Sequence, residues 1–138
     1  FRRVLFRSTD FSSNSTVFEA DLLVTDWSGI AYEYAFTTKK PVLFVDTPMK
    51  VMNPEYQKID TVPINIWMRD VIGDRLDPAK TEETESKVRN LLEQKDAYHD
   101  RIEKFVEEYV YNLGNSAEVG AKYIVQAVQE QIKKAKEQ

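Results

Sequence analysis

Two short apolar runs on either side of a helical segment constrain the fold of this chain more than any other feature. Residues 21–25 and 41–45 have the length and composition of buried strands. Between them Ile30, Tyr34 and Ala35 or Phe36 follow helical spacing, and Pro41 prevents the helix from continuing. A strand, a helix and a strand within about 25 residues form a βαβ unit with parallel strands. Because both runs are apolar throughout, we expect a sheet that is buried on both faces.

The rest of the chain is predicted to be helical, except for one irregular region. We expect a short helix over residues 16–20 and three longer, charged helices over residues 79–95, 97–111 and 116–136. Residues 46–77 are rich in proline and aromatic residues and are predicted to form a long irregular loop, a kind of segment that is often functional. The fold class is therefore α/β: a partial Rossmann-like parallel sheet with flanking helices and a helical C-terminal region. We expect one partial domain over residues 1–138, with an α/β part over residues 1–78 and a helical part over residues 79–138.

Composition excludes several classes of function. The 138-residue chain has a net charge of -4, which argues against broad nucleic-acid binding, and it has no cysteine for a disulfide or a thiolate nucleophile. No metal-ligand spacing, glycine-rich dinucleotide motif or Walker motif occurs, so we expect no metal and no bound cofactor. The chain starts at Phe1 without a methionine and without the apolar core of a signal peptide. We expect an incomplete chain, in which residues 1–8 need not be native.

The most informative segment follows the first predicted strand. Asp26, Trp27, Ser28 and Gly29 lie between the carboxyl end of that strand and the start of the next helix, where ligands of open α/β sheets bind. Free amides at a helix N-terminus attract phosphate, Ser28 adds a hydroxyl donor, and Gly29 allows close approach to the backbone. The alternative is that Asp26 or Ser28 only caps the helix. Spacing alone leaves both interpretations open.

Other polar residues are candidates for the same sheet edge. Glu33, one turn into the helix, could accept hydrogen bonds from ribose hydroxyls, or could be a solvated glutamate favoured by the helix dipole. Lys50 and Asn53 follow the second strand and are placed to reach a substrate, although a structured loop explains them equally well. Trp27 could stack on a base or sugar, although core packing is the commoner role of a tryptophan. The only histidine, His99, falls in a charged helical region and is expected at the surface, so the proton-transfer residue is expected outside this chain.

Two runs together resemble the CDP-glycerol glycerophosphotransferase family. They are residues 20–35, Ala-Asp-Leu-Leu-Val-Thr-Asp-Trp-Ser-Gly-Ile-Ala-Tyr-Glu-Tyr-Ala, and residues 40–47, Lys-Pro-Val-Leu-Phe-Val-Asp-Thr. The family signature is a strand that ends in Thr-Asp, an aromatic residue, Ser and Ser or Gly, then a helix with an acidic residue in its second turn and a basic residue with proline before the next strand. Asp26, Ser28, Gly29 and Glu33 match it position by position. Gly29 stands where a second serine is frequent, which removes one hydroxyl donor.

The resemblance implies a GT-B fold, with two Rossmann-like domains that face a cleft and a donor held by the C-terminal domain. It implies that Ser28 and the Gly29 amide hold the donor diphosphate, and that Asp26 and Glu33 shape this corner or hold the ribose. Ser116, and residues 14–16, are secondary phosphate candidates. The family's catalytic histidines fall in regions that are not part of this chain, so the catalytic residues stay unknown. We expect the chain alone to bind donor weakly, if at all, and to show no turnover.

The function implied is transfer of glycerol phosphate, or another polyol phosphate, from a CDP-linked donor to a cell-surface polymer or lipid-linked acceptor in teichoic acid or capsule synthesis. Two alternatives stay open: a GT-B glycosyltransferase with a UDP- or GDP-sugar donor, and a non-catalytic binding or assembly module that docks a partner through residues 79–138. The resemblance also implies a bacterial protein that is either free in the cytoplasm or peripheral at the inner face of the plasma membrane. The polyol, the acceptor and the oligomeric state are not specified by the sequence.

Overall fold

The computed structural model describes residues 15–49, 51 and 53–136 of the chain. The strands are β1 (Leu23–Thr25), β2 (Val42–Val45) and β3 (Gly73–Leu76). The helices are α1 (Ser15–Glu19), α2 (Ile30–Thr38), α3 (Ile64–Trp67), α4 (Arg69–Ile72), α5 (Thr84–Glu93), α6 (Lys95–Tyr109) and α7 (Ser116–Lys136). Short 3₁₀ turns occupy Tyr56–Lys58 and Thr81–Glu83.

The three strands form one parallel sheet in the order β1-β2-β3. Leu23 pairs with Val42, and Val42 pairs with Gly73, so β2 is the central strand. The predicted α/β class, with a parallel sheet, flanking helices and a helical C-terminal region, is confirmed. Because all strands run the same way, the residues that follow β1, β2 and β3 meet at one edge of the sheet.

Burial differs between the two strands that the sequence predicts to be alike. Val42, Leu43 and Phe44 of β2 are fully buried, as expected for a central parallel strand. In β1, however, Val24 is 51% exposed and its neighbours are only half-buried. The expectation of a sheet buried on both faces is therefore wrong for β1. The physical reason is position: β1 lies at the edge of the described sheet, where one face is incompletely covered.

Helix α2 joins β1 to β2 and packs on the sheet through Ala31, Tyr34 and Ala35, all of them fully buried. The helix ends where the sequence places its end. Lys39 takes the left-handed conformation at the C-cap, with φ of 57°, and its amide donates to the carbonyl of Ala35 at 2.9 Å. Pro41 follows and enters β2. The Tyr34 hydroxyl donates to the carbonyl of Ala20 at 2.8 Å, which links α2 to the segment before β1.

Replacing Tyr34 with phenylalanine is expected to cost about 1 kcal/mol of folding free energy at pH 7, because the Ala20 carbonyl loses one of its two donors and keeps only Lys40 Nζ, at 2.8 Å. Burial raises the pKa of Tyr34 above 10.0, so in the unfolded chain this phenol ionises first as the pH rises. Its contribution is therefore fully present below pH 10.0 and is lost above it. Urea titrations from pH 8 to pH 11 should show a shallower alkaline loss of stability in Tyr34→Phe. Tyr123→Phe, at an exposed position, serves as the matched control and should leave the profile unchanged.

Residues 46–77 do not form one irregular loop, and this expectation is wrong for its second half. After the turn Tyr56–Lys58, the chain forms α3, α4 and the third strand, β3. Strand β3 has the sequence Gly-Asp-Arg-Leu. Because two of its four residues are charged, it lacks the apolar run from which β1 and β2 are predicted. The structure neutralises both charges: Asp74 pairs with Lys87 at 2.9 Å, and Arg75 pairs with Asp70 at 2.7 Å.

The three long C-terminal helices follow the predictions closely. The segment predicted over residues 79–95 is a 3₁₀ turn followed by α5, and the next two helices are α6 and α7, the last with the predicted bounds. Helix α5 contacts β2 and β3 and buries Leu91. The Tyr98 hydroxyl of α6 donates to the carbonyl of Gly73 at 3.4 Å.

The described residues divide into two compact units. One contains the residues through Lys104 and includes the sheet, and the other contains the residues from Phe105 onward. In the second unit the rings of Phe105 and Tyr109 stack with their centroids 4.7 Å apart. The single partial domain, divided at residue 78, stays a prediction.

Candidate functional site

The candidate site lies at the edge of the sheet where the strands end. Asp26, Trp27, Ser28 and Gly29 link β1 to α2. Asp46 and Thr47 follow β2, and Asp77 follows β3. The Trp27 indole nitrogen donates to the carbonyl of Thr47 at 2.7 Å, so a direct bond ties the β1–α2 connection to the end of β2.

The corner at Ser28 and Gly29 offers several hydrogen-bond donors without acceptors. The first helical bonds run from the Ala31 amide to the Ser28 carbonyl at 3.3 Å and from the Tyr32 amide to the Gly29 carbonyl at 3.1 Å. Within the described ranges, no group accepts from the amides of Gly29 and Ile30 or from the Ser28 hydroxyl. A Cβ atom built on Gly29 meets nothing within 4 Å. The start of α2 is therefore open and presents amides to whatever occupies that space.

The capping alternative for this corner is not found in the structure. No side chain caps the start of α2, where Gly29 occupies the N-cap position. Asp26 is exposed and Ser28 is half-buried, and neither side chain has a partner among the described residues. Glu33 is likewise exposed, in the first turn of α2, without an ion pair in that part of the chain. Asp26, Ser28, Gly29 and Glu33 thus share one end of α2, and their roles in donor binding stay predictions.

A buried arginine beneath this corner was missed by the sequence analysis. Arg69, the first residue of α4, is 0% exposed, and its guanidinium carbon lies 3.8 Å from the centroid of the Trp27 ring and 4.7 Å from that of Phe44. Its Nη1 donates to Asp46 Oδ1 at 2.9 Å. Nothing in the sequence around residue 69 distinguishes this arginine from a surface arginine. Only the tertiary structure reveals it.

Two donors of Arg69 lack a partner in the part of the chain that the structure describes. Its Nε and Nη2 are buried, and no described residue accepts a hydrogen bond from them. A buried donor left unpaired costs roughly 1–3 kcal/mol. Such groups are rare in native proteins, and they require a reason. The positive charge also reaches Tyr32 on α2: burial raises the pKa of the Tyr32 phenol, and Arg69 partly offsets that rise.

A cleft of about 310 Å³ lies beside Trp27 and is mostly apolar in character. Asn53, Tyr56, Asn65 and Ile66 contribute to its lining. The Asn53 side chain accepts from the amide of Glu55 at 3.0 Å, and the Asn65 carbonyl accepts from the Tyr32 hydroxyl at 3.0 Å. The structure therefore brings Asn53 and Trp27 to one cleft, as candidates for the same ligand. Lys50 lies outside the described residues.

A second cavity of about 490 Å³ opens where β2 and β3 end. It is lined by three acidic and three basic residues: Asp46, Asp77, Glu83, Arg75, Lys80 and Lys87. The lining charges balance, Lys80 pairs with Glu83, and Arg75 and Lys87 pair with Asp70 and Asp74 outside the lining, so this cavity offers an anion less attraction than the open start of α2.

The remaining candidates lie away from the sheet edge or outside the described part. Ser116 begins α7, in the unit from Phe105 onward, and its assignment to a phosphate stays a prediction. Asn14 lies outside the described residues, and so do the side chains of Ser15 and Thr16. His99 on α6 is 50% exposed, with Nδ1 3.6 Å from Asp100 Oδ1, which confirms the surface position predicted for it.

Neither a metal cluster nor a membrane-spanning helix occurs in the described ranges. No three histidine, aspartate or glutamate side chains in residues 15–49, 51 and 53–136 are arranged to hold a metal ion. In the same residues, no helix combines the length and the apolar character needed to cross a bilayer.

Comparison with known proteins assigns the family. A family model described as CDP-Glycerol:Poly(glycerophosphate) glycerophosphotransferase matches residues 2–128, nearly the whole chain. The chain belongs to this family. As a member of the CDP-glycerol:poly(glycerophosphate) glycerophosphotransferase family, it is a transferase of the glycerophosphotransferase type, which implies a nucleotide-linked donor and an acceptor. No curated protein and no solved structure gives a significant match.

In this family member, the matched segment includes the whole sheet and the open start of α2. The resemblance drawn from the signature around Asp26, Ser28 and Glu33 is therefore confirmed at the level of the family. The donor, the acceptor and the role of each residue are matters for the proposal that follows.

Proposed function

We propose that this chain supplies the donor-binding corner of an enzyme that transfers glycerol phosphate, or another polyol phosphate, from a CDP-linked donor. One observation carries the proposal. At the carboxyl edge of a parallel sheet, the Ser28 hydroxyl and the amides of Gly29 and Ile30 have no acceptor among the described residues, and the space at Gly29 is open. Two linked phosphoryl groups offer the acceptors that these donors lack, and their charge is favoured by the helix dipole.

The chemistry that fits this corner is phosphoryl transfer. A hydroxyl oxygen of the acceptor attacks the β-phosphorus of the donor and forms a new phosphodiester bond. The bond between that phosphorus and the bridging oxygen breaks, and CMP leaves with the electron pair. Amides fixed at the start of α2 stabilise the charge on the phosphoryl oxygens without having to reorganise. The same donors hold the diphosphate in one orientation for the attack.

The nucleoside of the donor would lie along the surfaces next to the diphosphate. The cleft of about 310 Å³ beside Trp27 has room for a base or a ribose, with an aromatic wall and with Asn53 at its lining. Glu33, exposed in the first turn of α2, is placed to accept hydrogen bonds from ribose hydroxyls. Asp26 would shape the mouth of the corner. Lys50 remains a candidate for the same ligand by its position in the sequence.

Changing Ser28 to alanine removes one hydroxyl and tests whether that hydroxyl binds the donor diphosphate. We expect the affinity for CDP-glycerol, measured by isothermal titration calorimetry, to fall about 10-fold, because a hydrogen bond to a charged phosphate is lost. Stability should hardly change, since the hydroxyl has no partner among the described residues. Ser86→Ala is the control: the Ser86 hydroxyl, on α5, donates to the Glu83 carbonyl in the preceding 3₁₀ turn, and donor affinity should stay at the wild-type value. Equal affinities of wild type and Ser28→Ala would contradict the proposal.

The identity of the donor needs its own comparison. A diphosphate corner would also accept UDP- or GDP-sugars, which is the glycosyltransferase alternative. We expect CDP-glycerol to compete with bound CDP more strongly than UDP-glucose or GDP-mannose does. If either sugar nucleotide binds more tightly than CDP-glycerol, the proposal of a diphosphate site at the sheet edge is retained. The proposal that the donor carries a polyol phosphate is then refuted.

We further infer from the family that the acceptor is a cell-surface polymer or a lipid-linked precursor, in teichoic acid or capsule synthesis by a bacterium. The enzyme would then work in the cytoplasm, at the inner face of the plasma membrane. Fractionation of cells that produce the full reading frame, followed by transfer assays with radiolabelled CDP-glycerol, tests both points. Label that stays out of the polymer and lipid fractions would contradict the acceptor class.

A further inference from the structure

We propose that Arg69 is a positioning residue of the donor corner: its guanidinium holds Trp27, and with it the turn at Ser28, against the end of β2. This inference rests on the proposed function, because it gives Arg69 a role at the same site. Nothing in the family signature around residues 20–47 includes this residue. Arg69 reaches the corner from α4, more than 20 positions later in the chain.

The contacts of Arg69 connect separate elements at the sheet edge. The flat guanidinium lies between the rings of Trp27 and Phe44, at 3.8 and 4.7 Å from their centroids. Its Nη1 donates to Asp46, the residue after β2. Trp27 in turn donates to Thr47, so the β1–α2 connection is tied to the end of β2 twice, once directly and once through Arg69. Stacking needs the planar guanidinium and would be lost with lysine.

Stability alone does not explain a charged side chain at this position. Arg69 is fully buried, has one ion-pair partner that is itself 38% exposed, and leaves Nε and Nη2 unpaired among the described residues. An apolar side chain of similar length would avoid the desolvation of the charge and the unpaired donors. A buried group of this kind is retained where its geometry serves another purpose. The purpose that the contacts indicate is the placement of Trp27.

Placement of Trp27 matters because Ser28 is the next residue. If the indole ring loses the guanidinium beneath it, the turn from β1 to α2 gains freedom. The Ser28 hydroxyl and the Gly29 and Ile30 amides then lose their fixed positions at the start of α2. Small displacements of groups that hold a reacting substrate have large effects on binding and rate.

The test uses Trp27 itself as the reporter. The chain has two tryptophans, so a Trp67→Phe background leaves Trp27 as the single fluorophore. In that background we compare the chain that retains Arg69 with two variants. Arg69→Met keeps the length of the side chain and removes its charge and its planar group. Arg69→Lys keeps the charge and removes the planar group. Three quantities are measured: the melting temperature, acrylamide quenching of Trp27 without ligand, and affinity for CDP.

For Arg69→Met we expect a melting temperature that is unchanged or higher, stronger quenching of Trp27, and an affinity for CDP reduced about 10- to 100-fold. Arg69→Lys should show most of the same loss, because an ammonium keeps a cation–π attraction to the indole but cannot stack on it as the planar guanidinium does. Unchanged quenching in Arg69→Met, or full recovery of CDP affinity in Arg69→Lys, would overturn the proposal. Failure of Arg69→Met to fold would overturn it too, since it would make Arg69 a residue of the core rather than of the site.

A second variant separates this inference from the proposed function. Asp46→Asn weakens the ion pair at a partly exposed position and leaves Arg69 in place. It should raise quenching of Trp27 and weaken CDP binding in the same direction as Arg69→Met, and unchanged values of both would count against the proposal. If the protein made from the full reading frame binds no CDP, the proposed function fails. The quenching data then still decide whether Arg69 positions Trp27.

Discussion

Replacing Gly73 with alanine is expected to cost about 3–5 kcal/mol of folding free energy, a large part of the stability of a domain of this size. Gly73 opens β3 and pairs with Val42 of β2. A Cβ atom at this position would lie 1.8 Å from the Val42 carbonyl oxygen and 2.8 Å from its carbon. Backbone atoms of a central strand cannot turn aside as a side chain can. The two strands would have to separate along their shared ladder.

Urea unfolding followed by circular dichroism measures this effect. Gly29→Ala is the matched control in the same unit: its added methyl meets nothing within 4 Å, and we expect a change within about 1 kcal/mol. The steric cause is distinct from backbone strain, because Gly73 has an extended conformation with φ of -172° that any residue can adopt. Equal stabilities of Gly73→Ala and Gly29→Ala would contradict the close strand packing seen at β2 and β3.

Replacing Gly29 with aspartate is expected to lower the affinity for CDP-glycerol at least about 100-fold, because a carboxylate placed among the amides repels the diphosphate and occupies its donors. The same change should leave stability unaltered or raise it by up to about 1 kcal/mol, since a negative charge at the start of a helix is favourable. The side chain fits, because the space over Gly29 is open and φ is -61°. Gly29→Asp should therefore weaken donor binding without lowering the free energy of unfolding.

Gly29→Asn is the isosteric control for the charge. It fills the same space without a negative charge, so its loss of affinity should be clearly smaller than that of Gly29→Asp. Titration calorimetry and thermal unfolding of the two variants give both quantities. If Gly29→Asp binds CDP-glycerol as well as the wild type does, the diphosphate lies elsewhere.

The part of the fold that the sequence predicts well is the part with strong local signals. Strand β2 is apolar at every position and β1 nearly so, α2 carries its buried residues at helical spacing, and Pro41 marks the end of that helix. These signals need no knowledge of the rest of the chain. The long helices were equally accessible, since α7 repeats its apolar positions over 21 residues.

The part that the sequence does not predict depends on partners distant in the chain. Strand β3 has two charged residues in four, and it is a strand because β2 offers it a ladder and because Lys87 and Asp70 neutralise its charges. Helices α3 and α4 have four residues each, too few to show a period. The exposure of Val24 follows from the order of the strands, which no local pattern contains.

The candidate site divides in the same way. Asp26, Ser28, Gly29 and Glu33 follow from a strand, a turn and a helix that are contiguous in sequence, and the structure places them at one end of α2. Arg69 could not be found, because its burial results from the packing of α4 against two rings contributed by other segments. The sequence around a charged residue does not show whether the folded chain buries it.

The most direct test of the donor corner is the amide spectrum of the ¹⁵N-labelled chain during addition of CDP-glycerol. The free amides at the start of α2 should respond before any others, so we predict the largest chemical-shift changes at Ser28, Gly29 and Ile30, saturating together. If those three signals stay in place while signals around the charged cavity at Arg75 and Lys87 move, the diphosphate does not bind at the start of α2.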